Sequence, residues 1–520
     1  MKKIIKRTAA LSMTVVSTVG LLACGNTKTT QDAGASKEIT KPESFKVMCD
    51  GTVFTESNGG QAFYDKIAEL TGLDITWVRP DHSSYYDAVA NAFNSDESMP
   101  DVVLLSSDYY ALYAQSGFLW NMTEAWENSD TKNSGRLIDT AESVLSSMMV
   151  NGEDGKQGMY GMATYRGNGC CTYVKKKWLT DCGISTDVFE NNTMDFNTYY
   201  GYLKQMSEKK GHYVISCPGF VSAEAPYTNY LPEFYQDASY TFYKNSSGQY
   251  VDGFSEKSMQ DALKRISTAI ADGVIDKEAV NNSTSNARDK FYSTDPSNES
   301  GVFTYWAGTW ANTLKVNLAN KGLDDELIAI KPVKELGAYV ERIPASWCIT
   351  TAAKNPEGIY KYFIDSMLDG GDVQLTWLFG AKGTHWNDVA EAVTVQGKED
   401  QPSTYKDGEF HFLPSPEKPN TLTQKDTLLS LGSLTNGDPA ASQTPEVAKS
   451  NNAFFAENSH VATPLPMTVE LSEGVGDVNT ARQYVVAQVA LGYMSVEDGM
   501  SYYTKTVGSI VEDILKSLNK

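Results

Sequence analysis

Histidine and cysteine are scarce in this 520-residue chain, with five of the first and seven of the second. No two of His82, His212, His385, His411 and His460 stand at metal-ligand spacing, and H-E-x-x-H does not occur, so no metal site is expected. The chain has no G-x-S-x-G elbow, no P-loop and no G-x-G-x-x-G, which removes the usual carriers of acyl transfer and of nucleotide binding. No catalytic residue and no cofactor is therefore expected, although 65 acidic side chains leave room for a chance carboxylate pair of the kind a glycosidase needs. There is no C-x-x-C. Cys49, Cys170, Cys171, Cys182, Cys217 and Cys348 are too irregular for a disulfide scaffold and read as buried small hydrophobes. A disulfide among Cys170, Cys171, Cys182 and Cys217 stays open. Asp295 to Glu299 reads as a turn, not a calcium loop. No internal repeat of 20–50 residues is present, which excludes a solenoid.

Positive charge is also short. The chain carries 44 Lys and Arg against 65 Asp and Glu, a net charge of −21. Residues 1–23 hold four of the bases and no acid, so the remainder stands at 40 against 65, or −25. Such a surface repels nucleic acid and anionic lipid and suits a neutral or cationic ligand. The apolar run Ala9 to Ala23 is shorter than the ~20 residues of a membrane span. It follows Lys2, Lys3, Lys6 and Arg7 and ends in Leu21-Leu22-Ala23-Cys24, the parts of a secretory signal. The tetrad resembles a bacterial lipobox. That resemblance implies cleavage before Cys24, a diacylglycerol on its thiol, and tethering to the outer face of the cell membrane. Residues 24–44 are polar, small and free of aromatics, a flexible linker.

A body of this length exceeds one core, so at least two domains are expected. From Phe45 the pattern alternates. Phe45 to Cys49, Leu73 to Val78 and Asp101 to Leu105 read as strands; Gln61 to Thr71 and Ser84 to Asn94 read as helices, the first with Phe63, Ile67 and Leu70 at helical spacing. This alternation predicts a parallel α/β sheet with a ligand beyond the carboxyl ends of its strands. Gly155 to Ala163 reads as a turn and extended segment, and Tyr240 to Gly253 as a hairpin around Ser247-Gly248. Met259 to Ala271, Ala481 to Leu491 and Val496 to Leu518 read as helices.

Seven local patterns, in order, resemble the extracellular solute-binding lipoproteins of bacterial ABC importers, in their large carbohydrate-binding branch. They are Pro100 to Val103 (PDVV), Ser116 to Thr123 (SGFLWNMT), Gly155 to Gly161 (GKQGMYG), Tyr173 to Gly183 (YVKKKWLTDCG), Asp272 to Ala279 (DGVIDKEA), Tyr305 to Trp310 (YWAGTW) and Trp377 to Trp386 (WLFGAKGTHW). The departures are an insertion at Gln157 to Met159, Lys176-Lys177 in place of a basic-acidic pair, and Lys382 in place of an acid. The resemblance implies a two-lobe, periplasmic-binding-protein-like α/β fold with a hinge and an interlobe ligand cleft. Carried over by position, the first lobe is 45–165 plus 345–385 and the second is 166–344 plus 386–520. The chain would cross between them near Tyr165 to Tyr173, near Arg342 to Ile349 and near Trp386. The implied function is capture of an oligosaccharide by a lipid-anchored monomer and its delivery to an ABC permease. The alternatives are an extracellular glycoside hydrolase, a binding protein of the same fold for a peptide or other polar solute, and a receptor feeding a histidine kinase.

A sugar site needs aromatic platforms for C–H faces and directional polar groups for hydroxyls. Trp306 and Trp310, with Tyr305, are the first candidates. Their spacing of four would share one face if helical, although core packing is the alternative. Ser106, Asp108 and Tyr109 follow the third strand, where a helix N-cap is the competing role. Glu56 and Asn58 precede Gly59-Gly60 and could equally form a solvated turn. Tyr165 and Arg166 fall at the expected hinge, where Arg166 could bridge the lobes instead. Trp347 lies near Arg342 at the other crossing, and His385 with Trp386 completes the set.

Overall fold

The computed structural model describes residues 38–51, 59–81, 84–134, 148–163, 168–220, 229–323, 325–342, 345–416, 418–423, 443–462 and 474–519. The expectations for residues 1–23, for Cys24 and for most of the linker lie outside them. Among the described residues, no helix is long and apolar enough to cross a membrane.

The first lobe begins as the alternation predicts. Strand β1 (Phe45–Met48), helix α1 (Gly60–Thr71), β2 (Ile75–Val78), α2 (Tyr85–Ala92), β3 (Val102–Leu105) and α3 (Ser107–Gln115) follow in sequence. Strand β1 pairs in parallel with both neighbours, Val47 facing Trp77 and Val102. All four residues of β3 are buried, because both sheet faces are covered. Helix α1 buries Phe63, Tyr64 and Ile67 at helical spacing and stops at Gly72, whose φ of 62° suits glycine.

The sheet is mixed, however. Strand β4 (Gly161–Ala163) and a strand formed by Ser346–Ile349 extend it in antiparallel fashion. Trp347 faces Leu104 on one side and Met162 on the other. The chain thus returns to this sheet after a long excursion. The surrounding core draws on residues 45–163 and 347–377.

The excursion builds the second lobe. In chain order it holds β5 (Cys170–Lys175), α4 (Phe196–Lys210), a hairpin of β6 (Phe242–Lys244) and β7 (Tyr250–Asp252), α5 (Lys257–Ala271), β8 (Val302–Trp306), α6 (Thr309–Asn320), β9 (Leu327–Ala329) and β10 (Tyr339–Glu341). Strand β11 is the returning Ser346–Ile349, and α7 is Asp372–Phe379. Helix α8 (Glu446–Glu457), β12 (Ser459–Val461), α9 (Val475–Ala490) and α10 (Val496–Leu518) follow. Strand β5 is central to an antiparallel sheet, flanked by β8 and β9. Strand β10 pairs in parallel with β12.

Helix α5 buries Met259, Ala262, Leu263, Ile266 and Ala269 in a stripe at helical spacing. Helices α9 and α10 pack beside it, so the second core joins residues 174–333 to 478–514. A buried ion pair ties the hairpin to this helical layer. Arg482 Nη2 donates to Asp252 Oδ1 at 2.7 Å, with the guanidinium 4.6 Å from the Phe242 ring centre. Asp252 also accepts from Ser255 Oγ and from the Phe254 amide. The six described cysteines are buried free thiols. Burial pushes Cys49 and Cys171 up to about 12, far from thiolate reactivity.

Candidate functional site

Two of the three expected crossings meet among the described residues. One leaves β4 and re-enters the described residues at Asn168; the other leaves β10 through Arg342 and reaches β11. The Arg342 amide donates to the Asn168 carbonyl at 2.9 Å. Asn168 adopts φ of 59°, which asparagine tolerates because its short amide bonds locally. Its Oδ1 accepts from the Gly169 amide at 2.8 Å, and its Nδ2 donates to the Ala307 carbonyl at 3.0 Å. The Ala307 amide returns a bond to the Gly169 carbonyl at 2.9 Å. Asn168 therefore fixes both Arg342 and the end of β8, where Trp306 stands.

Trp306 is half-buried, and the Arg342 guanidinium lies 5.1 Å from its ring centre. The same guanidinium acts electrostatically on the Tyr86 hydroxyl of the first lobe, whose pKa is raised by burial and eased back by hydrogen bonding at Ser106 and then by Arg342. Tyr86 stacks on Tyr109 at 4.3 Å with rings 8° apart, and its Oη accepts from the Ser106 amide at 3.0 Å. Arg342 thus pairs closely with Trp306 and acts electrostatically on Tyr86, which stacks on Tyr109. Ser106 is the residue before α3 and makes no side-chain cap.

The spacing argument for the two tryptophans does not hold. Trp306 ends a strand, Gly308 turns the chain at φ of 70°, and Trp310 is the second residue of α6. A side chain at Gly308 would meet Asn452 Oδ1 at 2.2 Å, so only glycine fits that turn. Neighbouring strand residues face opposite ways. Trp310 accompanies Tyr305, edge-on at 4.9 Å, and Arg288 lies 5.3 Å from its ring centre. The two indoles serve different surroundings.

Trp347 and Trp386 are corrections. Trp347 is fully buried in the middle of the first sheet, edge-on to Phe363 and Trp377, because β11 lies between two strands and under two covered faces. Trp386 is buried with Phe379, Phe410 and Phe412, and its Nε1 donates to the Gly380 carbonyl at 2.8 Å. His385 beside it is buried too, its Nδ1 accepting from the Ala381 amide at 2.9 Å. Neither tryptophan presents a face to a ligand. Glu56, Asn58, Tyr165 and Arg166 lie outside the described residues, as does the side chain of Asp108.

A cavity of about 350 Å³ adjoins the same crossings on the second lobe. Its wall includes Cys170, which faces Trp306 across the sheet, and Val340, two residues before Arg342. Other parts come from Asn229, the stretch Gln236 to Lys244, Tyr250, Tyr339 and His460. Three tyrosines of the hairpin region, Tyr240, Tyr243 and Tyr250, supply aromatic surface. Tyr243 is oriented by a 2.8 Å bond from its Oη to Glu256. Asp237 is the one carboxylate of this wall among the described residues, and Lys244 offsets it. The volume lies in the range of small-molecule sites. The sequence shows the hairpin, but the wall joins four distant segments, and no local pattern announces that. Among the described residues, no group of three or more His, Cys, Asp or Glu could hold a metal ion.

Residues 55–384 match the bacterial extracellular solute-binding protein family. The chain belongs to that family. Its members are extracellular solute-binding proteins. No curated protein matches the sequence. Among solved structures, the fold is similar to an HMO-binding, ABC-transporter-associated solute-binding protein from Bifidobacterium longum infantis, at 11% identity and TM-score 0.60, over 92% of this chain and 98% of that one. It is also similar to the N-glycan transport solute-binding protein of Streptococcus pneumoniae, at 14% identity and TM-score 0.57, with the same coverage of 92% and 98%. An alginate-binding protein matches at 16% identity and TM-score 0.56, over 92% and 97%. These likenesses show the two-lobe fold.

Proposed function

We propose that this chain captures an uncharged oligosaccharide in the cleft beside its two crossings and delivers it to an ABC permease. The observation that carries the reading is the cavity wall. Three tyrosines stand among amide, hydroxyl and single-charge groups of both signs, next to Trp306 and Arg342. Aromatic faces suit sugar rings, and placed polar groups suit hydroxyls. The solved relatives named for HMO and N-glycan support an oligosaccharide, and the one named for alginate, an anionic polysaccharide, supports carbohydrate capture only in general.

Glycoside hydrolysis fits less well, since it needs two carboxylates about 5–10 Å apart and this wall offers Asp237 alone among the described residues. The lobes are taken as 45–165 plus 345–385 and 166–344 plus 386–520. The separate cores and the crossings at Asn168 and Arg342 support the first two boundaries, whereas Trp386, Phe410 and Phe412 pack with Leu378 and Phe379 across the third. Closure about the crossings would bury the sugar and present both lobe tips to the permease. The protein acts as a monomer, anchored to the outer face of the membrane through lipidated Cys24. The test is a thermal-shift panel of neutral and acidic oligosaccharides, with product analysis of each mixture. A ligand at 100 times its dissociation constant stabilises by about 2.7 kcal/mol. Stabilisation by neutral glycans without turnover is expected. Stabilisation by peptides alone, or cleavage of the glycan, would overturn the reading.

A further inference from the structure

Among the described residues, two that are not glycine hold a positive φ, Asn168 at the crossings and Gln236 in the cavity wall. Asn168 has its local reasons. Gln236 has none. It sits at φ 57°, ψ −120° after the short helix Pro232–Tyr235, a conformation normally reserved for glycine. A residue held so is strained and persists only where its surroundings over-determine it.

The surroundings do so. The Gln236 amide donates to the Pro232 carbonyl at 2.8 Å. Behind it, Arg265 on α5 grips the two preceding carbonyls, with Nε to Phe234 at 2.7 Å and Nη2 to Tyr235 at 3.3 Å. Asp237, Asp261 and Glu335 hold that guanidinium electrostatically. A strained corner is thus clamped from the outer side of the lobe. Gln236 is half-buried and lines the cavity described above as well as a shallower one shared with Arg265, Asp261 and Glu335. An amide placed at a cavity wall offers two donors and an acceptor. That complement matches a sugar hydroxyl, which both donates and accepts.

We propose that Gln236 contacts the bound sugar directly, and that its strained backbone is retained because it delivers the side-chain amide to the cavity. This rests on the carbohydrate reading of the same site. A turn kept for folding alone would be served better by glycine, which takes this conformation without strain.

The experiment uses the full-length protein and the tightest binder from a panel of maltotriose, lacto-N-tetraose, mannosyl-N-acetylglucosamine and acarbose, with calorimetry and thermal unfolding in parallel. Gln236→Ala keeps the strain and removes the amide; its affinity should fall at least threefold with the unfolding midpoint nearly unchanged. Gln236→Gly removes both, so its midpoint should rise while its affinity falls by a similar factor. If either folded variant binds within threefold of wild type, Gln236 does not contact the sugar, although the carbohydrate reading stands. If wild type binds none of the four glycans, the reading fails and this inference with it.

Discussion

Replacing each of the two neighbouring tryptophans should separate affinity from stability. Trp306 ends β8 beside Arg342, half-buried and next to the crossings. Trp306→Ala removes a candidate sugar platform and one cation–π contact. Loss of an aromatic stacking partner costs about 1–3 kcal/mol where it has been measured on nucleobases, which is about 5- to 150-fold in affinity. Trp306 is half-buried and packs against the third hydrophobic cluster, so the fold should also lose about 2 kcal/mol. Trp310 should share that stability cost but not the affinity cost. It packs edge-on to Tyr305 and beside Arg288 in the third hydrophobic cluster. A fully buried Trp→Ala costs about 3–5 kcal/mol, and Trp310 is partly exposed, so about 2 kcal/mol of stability is expected with little change in affinity. Calorimetric titration with a bound glycan and urea unfolding of the same preparations read both quantities. An unchanged dissociation constant in folded Trp306→Ala would refute the platform. An affinity loss in Trp310→Ala without a stability loss would show that the two roles are assigned the wrong way round.

Asp252→Ala should cost about 3–5 kcal/mol of unfolding free energy, because it strands Arg482 in the core without its partner; adding Arg482→Met should recover part of the loss, and additive losses in that double-mutant cycle would disprove the coupling. Burial raises the Glu233 carboxyl above its ordinary range, against hydrogen bonds from Thr172 and Tyr339. The folded chain then keeps a proton that the unfolded chain has released, so this group's contribution is fully present below the ordinary glutamate value and is lost as pH rises through the elevated folded one. Glu233→Gln should therefore unfold with a flatter pH dependence and exceed wild-type stability at pH 8; an identical pH slope in the variant would count against the assignment.

The first lobe was legible because its elements are local and periodic. The stretch 45–105 alternates two hydrophobic periods, and helix α1 stops at Gly72 where the apolar spacing ends. The hairpin at Ser247-Gly248 and the terminal helices were legible for the same reason. The antiparallel half of the first sheet was not, since β11 pairs with residues about 240 positions earlier and nothing in Ser346 to Ile349 records that partnership. Trp347 misled for this reason. A tryptophan near an expected hinge looks like a ligand platform, and only the strand order shows it enclosed on both sides. Trp310 misled through periodicity itself. A spacing of four matters within one helix, and the glycine at 308 breaks the helix before it begins.

What the sequence left out most completely is the pairing of the crossings through Asn168, and closure turns on it. Asn168 bonds Arg342 on one crossing and Ala307 beside Trp306. Independent movement of the two segments would break the hydrogen bond from the Arg342 amide to the Asn168 carbonyl. Arg342 lies 5.1 Å from the Trp306 ring centre of the second lobe and acts electrostatically on Tyr86 of the first, so a rotation that changes either distance alters its interaction with that ring. A sugar that bridges the Tyr86–Tyr109 stack and Trp306 would bind most tightly when both distances are short, which couples occupancy to closure by ordinary differential affinity.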